Sequence, residues 1–306
     1  MKYRVCHRTE YDYAGPVDQC HNEARLLLRD AAHQHCTRSL LNIEPRPQVY
    51  HERRDFFGNR VAYFAIQERH SRLVVNAVSD VEVTTPTDIA PGASRCWEQA
   101  RPRATEWGLL EGGSAYLYCL DSPLVPLSAQ ARQYAEISCP PGRPLLEVAH
   151  DLMGRIYHDY AYVPGFTAVT TPLADVMEHR KGVCQDFAHV AIACLRSMGL
   201  PARYVSGYLE TLPAPGQKKL VGADASHAWF AVFDPDLGWV DYDPTNNRMI
   251  GQRHLTAAWG RDFADVSPLK GVLYGSGRHE LKVSVDVARL DPASALPDFD
   301  DPVRSI

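Results

Sequence analysis

The sequence predicts an α+β protein, with a β-sandwich-like N-terminal domain preceding a core in which helices pack on an antiparallel sheet. Three observations predict it. Tyr3, Val5, His7, Thr9, Tyr11 and Tyr13 alternate with polar residues, the two-residue period of a half-buried strand. Leu145, Val148, Ala149, Leu152 and Ile156, and again Phe187, Val190, Ala191, Cys194, Leu195 and Met198, recur every three or four positions, as one buried helix face requires. Between 225 and 243, two short aromatic and β-branched runs flank Asp234-Pro235-Asp236-Leu237-Gly238, which reads as a hairpin.

The elements follow in order. Residues 1–90 form the β-rich domain: after the first strand, Tyr63-Phe64-Ala65-Ile66, Leu73-Val74-Val75 and Val78, Val81 and Val83 continue the pattern. Gly15-Pro16, Pro45-Arg46-Pro47 and Gly58-Asn59 supply turns, the last a hairpin tip between Phe57 and Val61. Residues 91–143, rich in Pro and Gly, are expected to connect the domains through short helices such as 128–137. The core is expected over 144–290. Within it, Tyr160 to Thr167 is an aromatic loop. The helix after Cys184 ends at Gly199, a left-handed cap, before Pro201. Ala202 to Tyr208 is a strand, and 211–224 is a flexible loop on the rim of the site. Leu281, Val283, Val285 and Val287 mark a final strand, and 291–306 reads as a disordered acidic tail.

Composition narrows the function. Of 306 residues, 45% are hydrophobic and 23% charged, with a net charge of −5, an ordinary soluble balance with no attraction for phosphate backbones or anionic lipid. Nucleic acid and membrane are therefore not expected partners. The first residues lack an apolar signal segment, and no apolar run is long enough to span a bilayer. The eight cysteines are scattered singly, without paired zinc spacing, and are expected as reduced thiols in the cytoplasm. Neither metal nor cofactor is expected.

The chemistry centres on Cys184, in Lys181-Gly182-Val183-Cys184-Gln185-Asp186-Phe187-Ala188-His189. A thiol on the first turn of a helix lies beside unpaired N–H groups and the positive end of the dipole, both of which favour the attacking thiolate. Such a nucleophile needs a base, and the base an orienting group. His227 opens the first strand of the hairpin. If Phe233 faces Trp239, then Asp243 is the diagonal neighbour of His227 on the same face, and Asp241 lies two positions further. Asp243 is therefore the favoured partner and Asp241 the weaker one. Asp186 is expected to support the helix N-terminus, His189 to be structural, and Cys194 to lie in the core.

The words Gly182 to His189, Ser226-His227-Ala228-Trp229 and Trp239-Val240-Asp241-Tyr242-Asp243-Pro244-Thr245-Asn246 resemble, in this order, the transglutaminase-like superfamily with its papain-like core. Thr9 to Tyr13, Asp55-Phe56-Phe57-Gly58-Asn59 and Gly260-Arg261-Asp262-Phe263-Ala264-Asp265-Val266 resemble flanking segments of its bacterial members. The resemblance implies a catalytic triad of Cys184, His227 and Asp243, and a place near the thiol for Tyr162, which would contact the oxyanion or the substrate. It implies acyl transfer on a peptide or protein amide through a thioester. Hydrolysis is the favoured outcome; transfer to an amine, or a non-catalytic peptide-binding module, are the alternatives.

Overall fold

The computed structural model describes residues 1–85, 89–104, 106, 115–211, 224–275 and 278–290. The acidic tail 291–306 and, but for its two ends, the loop 211–224 lie outside the described residues. In chain order the elements are β1 (Lys2–Ala24), β2 (Gln34–Glu44), β3 (Val49–Arg54), β4 (Arg60–Ile66), β5 (His70–Val83), α1 (Trp97–Ala104), α2 (Ala129–Glu136) and α3 (Leu145–Asp159). There follow β6 (Ala161–Tyr162), α4 (Leu173–His179), β7 (Lys181–Gly182), α5 (Cys184–Ser197), β8 (Ala202–Leu209), β9 (Ser226–Asp234) and β10 (Gly238–Asp243). The chain then forms β11 (Arg248–Met249), β12 (His254–Gly260), α6 (Phe263–Val266), β13 (Leu269–Gly275) and β14 (His279–Arg289).

The first strand organises the N-terminal sheet. Its first half pairs with β5 and β14, and its second half with β4 and β13. Gly15-Pro16, expected as a turn, instead sits inside β1, where the register against β5 shifts between Asp12 and Val17. A breaker inside a long strand bends it rather than ending it when neighbours hold both halves. The bend is crowded: a Cβ on Gly275 would stand 2.8 Å from the Pro16 carbonyl oxygen. The sheet curls on itself, so Leu41, Ile43, Leu73 and Val75 from one half share a core with Val17, Cys20, Phe64 and Ile66 from the other. The expected hairpin tip forms between β3 and β4, where Asp55 accepts from the N–H groups of Phe57 and Asn59 and Gly58 takes a φ of +74°.

The core sheet has the order β11-β10-β9-β8-β12, entirely antiparallel. Leu152 and Ile156 of α3 and Val190 and Ala191 of α5 bury against Phe230, Val232 and Tyr242 on one face of it. As expected, α5 ends at Gly199 with φ +74°.

The expected boundaries shift on both sides of the core. Ala100, Val125, Ala131, Ala135 and Cys139 lie in the same buried cluster as α3 and α5, so the segment 91–143 is a layer of the core rather than a connector. The buried residues of its helices α1 and α2 are alanines, which carry little apolar periodicity. At the other end, β13 and β14 return to pair with β1, so the core does not extend to 290. The alternation at 281–287 marks a strand but does not say which sheet accepts it.

The two modules meet at the open edge of β12. Gln34 donates from Nε2 to the Thr256 carbonyl and accepts the Thr256 N–H at Oε1, each at 2.8 Å. Asn59 does the same for Trp259, at 2.8 and 2.9 Å. Two primary amides thus complete an edge ladder that a further strand would otherwise fill. Arg29 bonds Asn59 and lies 3.1 Å from the Trp259 ring centroid, while Arg203 lies 3.9 Å from the same centroid. Burial, with the neighbouring Arg203 charge, pulls the Arg29 guanidinium down to about 9.

Replacing Asn59 with Leu keeps the volume but leaves the partly buried N–H and C=O of Trp259 without their side-chain partner. The expected loss is about 2–4 kcal/mol of unfolding free energy. Urea denaturation checks it, and a midpoint within error of the parent would refute the edge-completing role.

Candidate active site

Cys184 is the first helical residue of α5. Asp186 accepts the Val183 N–H at 2.8 Å and the Thr167 hydroxyl at 2.6 Å, closing the first turn. Burial pushes the Asp186 carboxyl up, against the pull of these two bonds. Gly182 is needed for close approach: a Cβ there would lie 2.7 Å from that of Asp186. The aromatic loop is tied beside this turn, since Tyr162 pairs with Gly182 and the Val163 N–H donates to the Gly182 carbonyl at 2.9 Å. Tyr162 is 53% exposed, with its ring edge-on to Phe187 at 6.2 Å. Partial burial, and then charge at Cys184, raise its phenol.

The hairpin has the expected register: Phe233 pairs with Trp239 and Ala231 with Asp241. His227 therefore meets Asp243, donating from Nε2 to Oδ2 at 2.7 Å. Asp241 takes no part in this contact and accepts the Trp229 indole N–H at 2.9 Å instead. Cys184 also hydrogen-bonds the His227 ring and favours its charged form. Burial alone would lower the His227 pKa, but the bonds to Asp243 and Cys184 raise it to about 10. Asp243 has no exposed surface. Burial would raise its carboxyl, yet donation from His227, His254 and Asn246 holds it well below the usual carboxylate range.

His254 is the member that sequence reasoning missed. It donates from Nε2 to Asp243 Oδ2 at 3.1 Å and accepts the Gly251 N–H on Nδ1 at 3.2 Å. No local motif marks it, because the contact depends on β12 joining the sheet beside β8, with β8 and β9 between it and β10. Asn246 adds a 2.7 Å bond to Oδ2, and the N–H groups of Thr245 and Asn246 bond Oδ1 at 3.0 and 3.2 Å.

His227, Asp243 and His254 offer ligand atoms within 4.8 Å of one another, the spacing of a metal site. The hydrogen bonds do not fit a cation. With Nδ1 of His254 accepting a backbone N–H, its proton is on Nε2, so no lone pair is left there to coordinate. The two imidazoles are instead hydrogen-bonded to the carboxylate.

His189 and Cys194 lie where expected. The buried His189 accepts the Phe263 N–H on Nε2 at 3.2 Å, and burial pushes its pKa down to about 4. Cys194 is fully buried and its thiol is driven up by that burial.

Comparison with known proteins agrees with this fold. The profile of the transglutaminase-like superfamily matches residues 133–244, and that of the bacterial transglutaminase-like N-terminal region matches 3–82. The chain belongs to the transglutaminase-like superfamily. An uncharacterized protein of Mycobacterium tuberculosis is 41% identical over 297 residues, covering 94% of this chain and 92% of the relative. A protein-glutamine gamma-glutamyltransferase of Pseudomonas aeruginosa is 34% identical over 99 residues, 31% of this chain and 15% of that one. Among solved structures, the "Putative Cysteine Protease from Cytophaga hutchinsonii" shares the fold, with a TM-score of 0.73 at 20% identity, covering 98% of this chain and 94% of that one. Among the described residues of this transglutaminase-like chain, no helix is long and apolar enough to cross a membrane.

Replacing Asp243 with Asn removes the charge that holds the imidazolium. The His227 pKa is expected to fall from about 10 toward its ordinary 6.5, read by NMR titration of the ring. Because the folded value is raised, the stability it contributes is complete below about 6.5 and lost as pH rises through about 10. An unmoved His227 titration would show that Asp243 is not the cause.

Proposed function

We propose that this protein carries out cysteine-dependent acyl transfer on peptide or glutamine side-chain amides, with hydrolysis as its main outcome. The observation that carries this reading is the division of labour on His227. Nε2 is engaged by the buried Asp243, and Cys184 interacts with the same ring, so Nδ1 is the nitrogen proposed to serve the sulfur. In the proposed reaction the Cys184 thiolate attacks the amide carbonyl carbon, and His227 holds the proton taken from the thiol. The oxyanion meets the Cys184 backbone N–H at the helix start, where donors have no intrahelical partner. As the C–N bond breaks, His227 protonates the leaving amine and a thioester forms on Cys184. Water then gives its proton to His227 and attacks the thioester, releasing the acid and the free thiol. Asp243 fixes the imidazole tautomer and stabilises its charged form. Tyr162, exposed beside Gly182, is proposed to contact the substrate.

Hydrolysis is favoured because Cys184 is only partly buried and Tyr162 is open to solvent, so water can reach the thioester. A primary amine taking the place of water would give glutamine cross-linking, the reading that the Pseudomonas aeruginosa relative's name favours. All eight cysteines are free thiols, which suits the reducing cytoplasm proposed for the chain.

Cys184→Ala is expected to abolish turnover of a peptide library and of a glutamine-donor peptide given a labelled primary amine. Released peptide or ammonia without incorporated label supports hydrolysis, and incorporated label supports transfer. Full activity in the alanine variant would refute both. Iodoacetamide at mildly acidic pH is expected to alkylate Cys184 well before the other thiols. Uniform slow labelling would instead favour a peptide-binding module without catalysis.

A further inference from the structure

We propose that His254 is a positioning residue for the catalytic carboxylate, a member of the site that acts on Asp243 and never on substrate. This rests on the triad reading given above. Three features of the structure support it.

The first is a fixed tautomer. The turn before β12 makes a reciprocal pair: the His254 N–H donates to the Gly251 carbonyl at 3.0 Å, and the Gly251 N–H donates to His254 Nδ1 at 3.2 Å. A ring whose Nδ1 accepts must carry its proton on Nε2. That N–H points at Asp243 Oδ2, 3.1 Å away. The second is a fixed ring. His254 is buried, with its ring edge-on to Trp229 at 5.4 Å, and the Trp229 indole N–H is tied to Asp241. The third is the choice of oxygen. Backbone N–H groups hold Oδ1, whereas His254 binds Oδ2, the oxygen that receives His227.

The consequence appears within the proton cycle. While His227 is an imidazolium, Asp243 has an opposite charge beside it. Once His227 has passed its proton to the leaving amine, that partner is neutral and the carboxylate is left buried. A buried charge then depends on neutral donors. His254 supplies one that is independent of the cycle, because its proton is held on Nε2 by the Gly251 contact. It keeps Oδ2 aligned with His227 in both states.

The test has an arm that needs no substrate. In ¹⁵N-histidine NMR of the full chain, His254 is expected as the Nε2–H tautomer, with Nδ1 shifted as an acceptor. A His254 that carries its proton on Nδ1 overturns the proposal, whatever the protein's reaction proves to be. In the second arm, His254→Phe keeps the ring volume and removes the donor, whereas His254→Gln can place an amide N–H near the lost Nε2. For the phenylalanine variant kcat is expected to fall about 10- to 100-fold with KM little changed, as a lost hydrogen bond to a charged group implies. The glutamine variant is expected to recover to within a few-fold of the parent. Equal impairment of both variants, or full activity in both, would overturn the positioning role. If no amide is turned over by the parent while the NMR shows the Nε2–H tautomer, the triad reading fails and the hydrogen bond to Asp243 stands.

Discussion

One buried carboxylate orders this site. Asp243 has no exposed surface, and five donors meet its two oxygens: His227, His254, the Asn246 amide, and the N–H groups of Thr245 and Asn246. Removing a charge from water is expensive unless it is fully hydrogen-bonded, so the surrounding chain is constrained to bring those donors together. The Pro244-Thr245-Asn246 turn closes over Oδ1, the β9–β10 hairpin takes the register that delivers His227, and β12 starts where His254 can reach Oδ2. A one-residue slip in either pairing would leave the carboxylate short of donors.

The N-terminal module enters this arrangement through β12. Gln34 and Asn59 use their amides as short pieces of strand along its outer edge, and Arg29 stacks on Trp259 at its end. Asp55-Phe56-Phe57-Gly58-Asn59 and the segment from Gly260 to Val266 therefore adjoin a single seam, although they are far apart in the chain. Asp55 holds the loop that presents Asn59, while Asp262 caps α6 through the Ala264 N–H and accepts the Leu124 N–H. β13 and β14 return to pair with β1, and Val285 and Val287 of β14 share a buried cluster with Leu255 and Ala257 of β12. The N-terminal sheet thus borders the strand that carries His254.

Histidines of this chain reach opposite protonation states from the same starting chemistry. Burial drives both His7 and His189 down to about 4; His7 contacts the Tyr208 hydroxyl and His189 a backbone N–H, so neither has a carboxylate bond to oppose it. His227 is nearly as buried, yet Asp243 and the Cys184 sulfur lift it to about 10. Desolvation acts on all three; only the charged partner reverses it.

What the sequence determined by itself was local. Helical spacing at 145–156 and 187–198, the Gly199 cap, the Gly58-Asn59 tip and the hairpin register that joins His227 to Asp243 all depend on residues within a few turns of one another. The ordered words around Cys184, His227 and Asp243 placed the chain in its superfamily for the same reason. Tertiary structure decided the rest. Gly15-Pro16 bends a strand instead of ending it because β5 and β14 hold one side and β4 and β13 the other. Alanine-lined helices join the core, the last strand pairs with the first, and His254 meets a carboxylate across the core sheet. A two-residue or 3.6-residue period tells which face of an element is buried, but not which distant element buries it.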